Sequence, residues 1–116
     1  GTLDVNNYNY NDLFAVDFEM TKSERIKTFE SGSTHGMSLV GVDLTGDGEI
    51  RKWLLENSWG SSSGHNGFLI MTDEWFDEYM FRLVVRKKYV PEEVLKILET
   101  EPVFLPPWDP MFAPEE

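Results

Sequence analysis

The sequence predicts an α+β domain in which an antiparallel sheet carries short helices and ends in an extended arm. Strand-like segments at 34–44 and 50–57 flank a glycine turn, Thr45-Gly46-Asp47-Gly48, which is typical of a β-hairpin. Short helices with capping residues are predicted outside these strands. Four prolines between Pro102 and Pro110 favour an extended C-terminal segment.

The chain is long enough for one domain with one modest core. It has 116 residues, of which 41% are hydrophobic and 14% aromatic, as in globular proteins. We therefore divide a single domain, 1–116, into four parts. They are a lead-in with a short helix (1–33), an antiparallel β core with a helix at 73–79 (34–85), a second helix (91–99) and an extended C-terminal arm (102–116).

The lead-in is rich in Asn, Asp, Tyr and Phe and has no sustained hydrophobic period, so an irregular, aromatic-anchored segment is predicted. Thr21 followed three residues later by Glu24 is a capping box, which predicts a helix over about 22–29. Ser31-Gly32-Ser33 ends this helix.

The β core is predicted from four apolar segments. Residues 34–44 carry apolar side chains at both parities, which is typical of a central strand, and Gly41 marks a bulge or a close backbone approach. Thr72 is placed to cap the helix at 73–79, and Pro91 to open the helix at 91–99. The other predicted strands are 50–57, 67–71 and 81–85.

Charge and composition exclude several classes of function. The net charge is −11, so binding of a nucleic-acid backbone through this segment is not expected. The absence of cysteine excludes disulfides and favours a reducing, cytoplasmic setting. No run reaches the roughly 18 to 20 apolar residues that span a bilayer, and the start lacks a signal-peptide pattern, so no membrane partner is expected.

The strongest candidate site joins His35 and Asn57. If the segments flanking the turn pair as a hairpin, these two residues face each other across the strands within about one residue of register. An asparagine amide that holds a histidine is the base-and-orienter half of a nucleophilic catalytic site. Trp59 follows two residues later and is placed to shield the contact from water. The simpler alternative is a structural histidine at a strand start.

Metal and cofactor binding are not expected. Asp43 to Ile50 begins like an EF-hand loop, but the twelfth position is Leu54 rather than glutamate, and both flanks read as strands. A polar hairpin turn explains the loop better than calcium binding. His65 lies in a Gly/Ser/Asn loop without a second ligand at metal-binding spacing.

The residues around the site resemble the C-terminal part of papain-like cysteine peptidases. Later segments resemble the bleomycin hydrolase and aminopeptidase C branch, and the resemblance runs from about Leu3 to Met111. The segments that carry it are Thr34-His35-Gly36-Met37, Gly41-Val42-Asp43-Leu44, Glu56-Asn57-Ser58-Trp59-Gly60, Trp75-Phe76-Asp77-Glu78-Tyr79, Lys87-Lys88-Tyr89, Pro91-Glu92-Glu93 and Leu105-Pro106-Pro107-Trp108-Asp109-Pro110-Met111.

The resemblance implies that the chain is most of the β-rich C-terminal lobe of a papain-like fold. It implies that His35 is the catalytic base, Asn57 its orienting partner and Trp59 the cover of their contact. The nucleophilic cysteine and the oxyanion-hole glutamine would then lie on an N-terminal lobe of the same enzyme, so this segment alone is expected to be inactive. It further implies a cytoplasmic thiol aminopeptidase that acts on peptides with a free N-terminus and assembles as a hexamer.

The end of the chain departs from the family pattern. After Met111 the family continues with glycine and small residues, whereas this chain has Phe112-Ala113-Pro114-Glu115-Glu116. A bulky ring and two extra carboxylates change the steric fit and charge that gate aminopeptidase activity in the family. The alternative function is a non-catalytic peptide-binding or oligomerisation module, because proline-rich segments dock in grooves at low entropic cost.

Overall fold

The computed structural model describes residues 1–112 and contains four strands and four α-helices. The strands are β1 (Thr2–Leu3), β2 (Ser38–Leu44), β3 (Ile50–Glu56) and β4 (Phe68–Thr72). The helices are α1 (Tyr10–Phe14), α2 (Lys22–Lys27), α3 (Asp73–Tyr79) and α4 (Glu92–Leu95), with 3-10 turns at Lys87–Tyr89, Lys96–Glu99 and Pro110–Phe112.

The four strands form one mixed sheet in the order β1-β4-β3-β2. β2, β3 and β4 are antiparallel, as predicted, whereas β1 pairs with β4 in parallel, with Thr2 opposite Ile70. The predicted α+β class is confirmed. The lead-in contributes an edge strand because two of its residues reach the open side of β4.

The β2–β3 hairpin closes through the predicted turn. The Thr45 N–H donates to the Glu49 carbonyl at 2.8 Å, and the Gly48 N–H donates to the Thr45 carbonyl at 3.1 Å. Gly48 has φ +88°, which favours glycine at this turn position. The ladder shifts register between Leu39 and Gly41, so the predicted bulge is present. The bulge places Leu39 and Val42, which have different parities, on one side of the sheet.

Helix α2 begins at the predicted capping box and is fixed to the C-terminal end of α3 by two cations. The Lys22 ammonium donates to the carbonyls of Asp77 and Met80 at 2.6 and 2.7 Å. The Arg25 guanidinium donates to the Glu78 carbonyl at 3.0 Å and to its carboxylate at 2.7 Å. Both cations lie where a helix presents its unsatisfied carbonyls, which explains why the two short helices hold together.

The core is small, and much apolar surface stays outside it. Only Leu55 and Met71 are buried among the apolar side chains of the described residues. Trp53 joins β3 to α3, because its ring stacks on Phe76 with centroids 4.8 Å apart and its Nε1 donates to Asp73 at 2.9 Å. The accessible surface is 9841 Å², whereas a free-standing 13.4 kDa protein exposes roughly 6,500 Å². The chain therefore presents more surface than a self-contained domain of its mass.

Several sequence-based elements differ from the structure. The strand predicted over 34–44 forms only over Ser38–Leu44 and lies at an edge of the sheet rather than in its centre, and the helix predicted over 22–29 ends at Lys27. No strand forms at 81–85 in the described chain, where this segment pairs with none of the four strands of the sheet. The helix predicted at 91–99 is α-helical only over Glu92–Leu95 and then tightens into a 3-10 turn. The lead-in contains α1, a helix not predicted from the sequence because the segment has no hydrophobic period; its N-cap Asn9 side chain accepts from the Asp12 N–H.

Residues 101–106 form no helix or strand, the chain turns where the Asp109 N–H donates to the Pro106 carbonyl at 3.0 Å, and a 3-10 turn follows at Pro110–Phe112. The prediction for 113–116 lies outside the described residues. None of the helices in the described range is long and apolar enough to cross a membrane.

Candidate active site

The candidate site lies at the end of the β2–β3 hairpin away from its turn. Asn57 directly follows β3, and its backbone N–H donates to the Gly67 carbonyl at 3.0 Å, which fixes the start of the next loop. His35 lies three residues before β2 begins. Continuing the register from the Ser38–Glu56 pair puts Met37 opposite Asn57, so His35 meets Asn57 diagonally rather than directly. Diagonal neighbours on one face of a sheet are within reach of long side chains.

The two side chains make the predicted contact. His35 Nε2 lies 2.9 Å from Asn57 Oδ1. The Ser58 backbone N–H also donates to Asn57 Oδ1, at 2.8 Å. Because a backbone N–H can only donate, the atom facing it must be the amide oxygen, and His35 Nε2 must therefore carry the proton in this contact. The other ring nitrogen, Nδ1, takes no part in the contact with Asn57.

The Ser58 backbone N–H is a part of the site that could not be predicted from the sequence. It fixes which end of the Asn57 amide faces His35, and hence the tautomer of the imidazole. A backbone donor carries no signature in a sequence, so only the geometry identifies it.

Trp59 lies beside the histidine. The two ring centroids are 5.0 Å apart with an interplanar angle of 31°. The tryptophan keeps 64% of its surface exposed, so it borders the imidazole on one side and leaves the site open to solvent elsewhere. The structure thus brings the three sequence-predicted residues His35, Asn57 and Trp59 together.

The far end of the Asn57 amide has no partner. Its Nδ2 is enclosed and makes no hydrogen bond within the described residues. An enclosed donor without an acceptor costs on the order of 1–3 kcal/mol. The Nδ2 of Asn57 therefore lowers the stability of the fold, whereas its Oδ1 makes the two favourable contacts, with His35 and with the Ser58 N–H.

The other sequence candidates are structural. His65 is exposed, and its backbone exchanges hydrogen bonds with Phe68 at 2.8 and 3.1 Å, which closes the loop before β4. Asp43 pairs with Arg51 at 3.1 Å across the hairpin rather than heading a loop between helices. Within residues 1–112, no group of three or more His, Cys, Asp or Glu side chains is arranged to hold a metal ion.

The fold and the histidine–asparagine pair define a papain-like class of protein. A solved structure, PepW from Lactobacillus rhamnosis, superposes with a TM-score of 0.84 and 47% sequence identity, covering 97% of this chain and 26% of that chain. The model of the Peptidase C1-like family matches residues 1–112. The chain belongs to this family.

Relatives of two kinds match the chain almost end to end. Bleomycin hydrolase from Rattus norvegicus is 50% identical over 116 residues, covering 97% of this chain. Aminopeptidase C from Lactococcus lactis subsp. cremoris is 43% identical over 113 residues, with the same coverage. The chain spans about a quarter of the length of these relatives, 26% in each case.

Proposed function

We propose that this chain is the catalytic-lobe segment of a cysteine-type aminopeptidase and supplies its histidine base and orienting asparagine. The carrying observation is the 2.9 Å contact between His35 Nε2 and Asn57 Oδ1, with the amide oriented by Ser58. Because the chain has no cysteine, the nucleophilic thiol must come from another part of the enzyme. The unusually large exposed surface is what a lobe that packs against such a part requires.

The geometry assigns a step to each of these residues. His35 Nδ1 takes the proton of the incoming thiol, and the resulting imidazolium is stabilised by its Nε2–H donation to Asn57 Oδ1. The thiolate attacks the peptide carbonyl, and His35 returns the proton to the leaving amine as the acyl-enzyme forms. His35 then takes a proton from water as that water attacks the acyl group, which releases the acid and regenerates the thiol.

Substrate selection and assembly are part of the same proposal. The names of the relatives, bleomycin hydrolase and aminopeptidase, favour substrates with a free amino group. We expect cytoplasmic location and hexameric assembly, with the end of the arm near the substrate amine. The arm after Thr100 carries carboxylates and aromatic rings, which both attract an ammonium group. The carboxylates are those of Glu101, Asp109, Glu115 and Glu116, and the rings are those of Phe104, Trp108 and Phe112.

The test compares two histidine variants in the full-length enzyme. His35→Ala should lower kcat/KM on an aminoacyl-methylcoumarin substrate by at least about 100-fold, since general acid–base groups contribute roughly 10²–10⁴. His65→Ala is the matched control, because His65 is the other histidine and lies outside the pair; it should keep wild-type activity. The N-acetylated substrate should not be cleaved. Full activity of His35→Ala would reject the catalytic role.

One observation favours a second candidate, a non-catalytic peptide-binding or oligomerisation module. The extended arm exposes 90% of Phe104 and 80% of Trp108, as a docking segment would. If this candidate is right, Phe104→Ser changes the sedimentation coefficient of the assembly while His35→Ala leaves both assembly and activity intact.

A further inference from the structure

Residues 81–86 have the sequence pattern of a β-strand but pair with no strand in the described part of the chain. Phe81, Leu83 and Val85 alternate with Arg82, Val84 and Arg86, and such alternation with β-branched residues is typical of strands. The flanking residues Met80 and Arg86 have extended backbone angles, with ψ of 117° and 132°. The 81–86 segment is therefore held in a strand-compatible conformation at both ends.

Its backbone is unpaired. Leu83, Val84 and Val85 make no backbone hydrogen bond within the described part of the chain. Val84 is completely exposed, at 100% of its surface, and Leu83 is 58% exposed. Buried strands satisfy these groups through a ladder, so three consecutive unpaired apolar residues mark a site for strand addition.

The segment joins none of the strands of the described sheet, whose edge strands are β1 and β2. β4 is flanked by β1 and β3, and β3 is flanked by β4 and β2. The inner side of the segment is already engaged, because the Lys22 ammonium lies 5.1 Å from the Phe81 ring centroid. Lys22 is in turn fixed to the end of α3. Phe81 is thus in contact with Lys22 of α2, while Val84, three residues further on, is fully exposed.

A second copy of the same segment is a poor partner. A two-fold antiparallel pair centred on Val84 would set Arg82 opposite Arg86 in both directions, and like charges directly opposite are destabilising. The net charge of −11 adds repulsion between copies. A heterologous strand with a carboxylate opposite Arg86 avoids both penalties.

We propose that the 81–86 segment is an acceptor for a β-strand contributed by the rest of the same polypeptide. The partner strand carries apolar side chains opposite Leu83 and Val85 and an acidic one opposite Arg86. This inference rests on the proposed function only in that the chain is one part of a longer enzyme. The share of the relatives' length that this chain spans, 26%, leaves ample sequence for such a strand.

Amide hydrogen exchange tests the proposal at single-residue resolution. In the 116-residue chain, the amides of Leu83, Val84 and Val85 should exchange at the rates of an unstructured peptide. In the full-length enzyme, an antiparallel partner along one edge should slow alternate amides, either Val84 alone or Leu83 with Val85, by at least about 100-fold, because only alternate residues bond toward one side. Unprotected exchange of all three in the full-length enzyme would overturn the proposal. So would protection that appears in the 116-residue chain as its concentration rises, since that identifies a second copy as partner.

A variant separates this proposal from the catalytic one. Val84→Pro or Leu83→Pro removes an N–H that bonds nothing in the described chain. In the full-length enzyme, the proline variant at whichever of these two positions the exchange pattern shows protected should lower the melting temperature, whereas Val84→Thr or Leu83→Thr at that position, which keeps the N–H, should not. An equal effect of both variants would contradict strand pairing. Failure of the catalytic proposal would instead leave this exchange pattern intact and appear only in the activity of His35→Ala.

Discussion

Replacing Asn57 by alanine should separate catalysis from stability. In the full-length enzyme, the variant removes the oxygen that lies 2.9 Å from His35 Nε2. A hydrogen bond to a charged group such as an imidazolium is worth about 1.5–3 kcal/mol. At 1.36 kcal/mol per factor of ten, kcat/KM should fall roughly 10- to 160-fold.

The same substitution should cost little stability. It removes an amide nitrogen that is enclosed and has no partner among residues 1–112, which offsets the lost contacts by on the order of 1–3 kcal/mol. The Ser58 N–H that loses its acceptor belongs to an exposed residue, and water replaces the acceptor. The melting temperature of Asn57→Ala should therefore stay within a few degrees of wild type.

Steady-state kinetics over a pH series and a thermal scan on the same samples test this reasoning. Asn57→Asp is the informative companion, because it keeps an oxygen for His35 and adds a negative charge. Because the carboxylate oxygen can still accept from His35 Nε2–H, Asn57→Asp should keep more of the wild-type kcat/KM than Asn57→Ala does. Wild-type kcat/KM in Asn57→Ala would refute the orienting role, and a loss of activity matched by a large drop in melting temperature would refute the separation.

Three further predictions concern neighbouring features. Trp59→Ala should lower kcat/KM about tenfold, or about 1.4 kcal/mol, at unchanged melting temperature because the ring is mostly exposed; Tyr89→Ala, which removes an exposed aromatic ring outside the site and the arm, is the kinetic control. Thr72→Ala should lower the free energy of unfolding by about 1 kcal/mol in a urea titration, since it removes the cap that accepts from the Trp75 N–H at 3.2 Å, and Thr72→Ser should restore it. The Thr21 hydroxyl and backbone N–H lower the pKa of Glu24, so the cap of α2 is fully present above the carboxyl's ordinary pKa and is lost as pH falls through the depressed value. Circular dichroism in acid should show this loss, and Thr21→Val should lessen the pH dependence; a pH-independent signal in the wild-type chain would contradict it.

Local chemistry made the hairpin and α3 predictable. The glycine turn, the alternation along β3 and the threonine cap at Thr72 act within a few residues, so the structure reproduces α3 at Asp73–Tyr79. The capping box likewise gives the start of α2 at Lys22. The proximity of His35 and Asn57 followed from the hairpin, and the family resemblance from their flanking motifs is confirmed.

The features that could not be predicted correctly depend on contacts between residues distant in sequence. β1 exists because two residues of the lead-in meet β4, almost 70 positions away, and no local pattern encodes that meeting. The 81–86 segment has the composition of a strand, but a strand also needs a neighbour to pair with, and the segment pairs with none of the four strands of the described sheet. The orientation of the Asn57 amide depends on a backbone N–H, which every residue except proline provides.

The pH dependence of thiol alkylation in the full-length enzyme tests most directly whether His35 serves a cysteine carried elsewhere. A thiol paired with an imidazolium ionises well below the ordinary cysteine pKa of about 8.5. The wild-type enzyme should therefore react with iodoacetamide rapidly at neutral pH, and His35→Ala should shift the alkylation midpoint up toward that ordinary value, while His65→Ala should not. The same alkylation midpoint in wild type and His35→Ala would contradict the account.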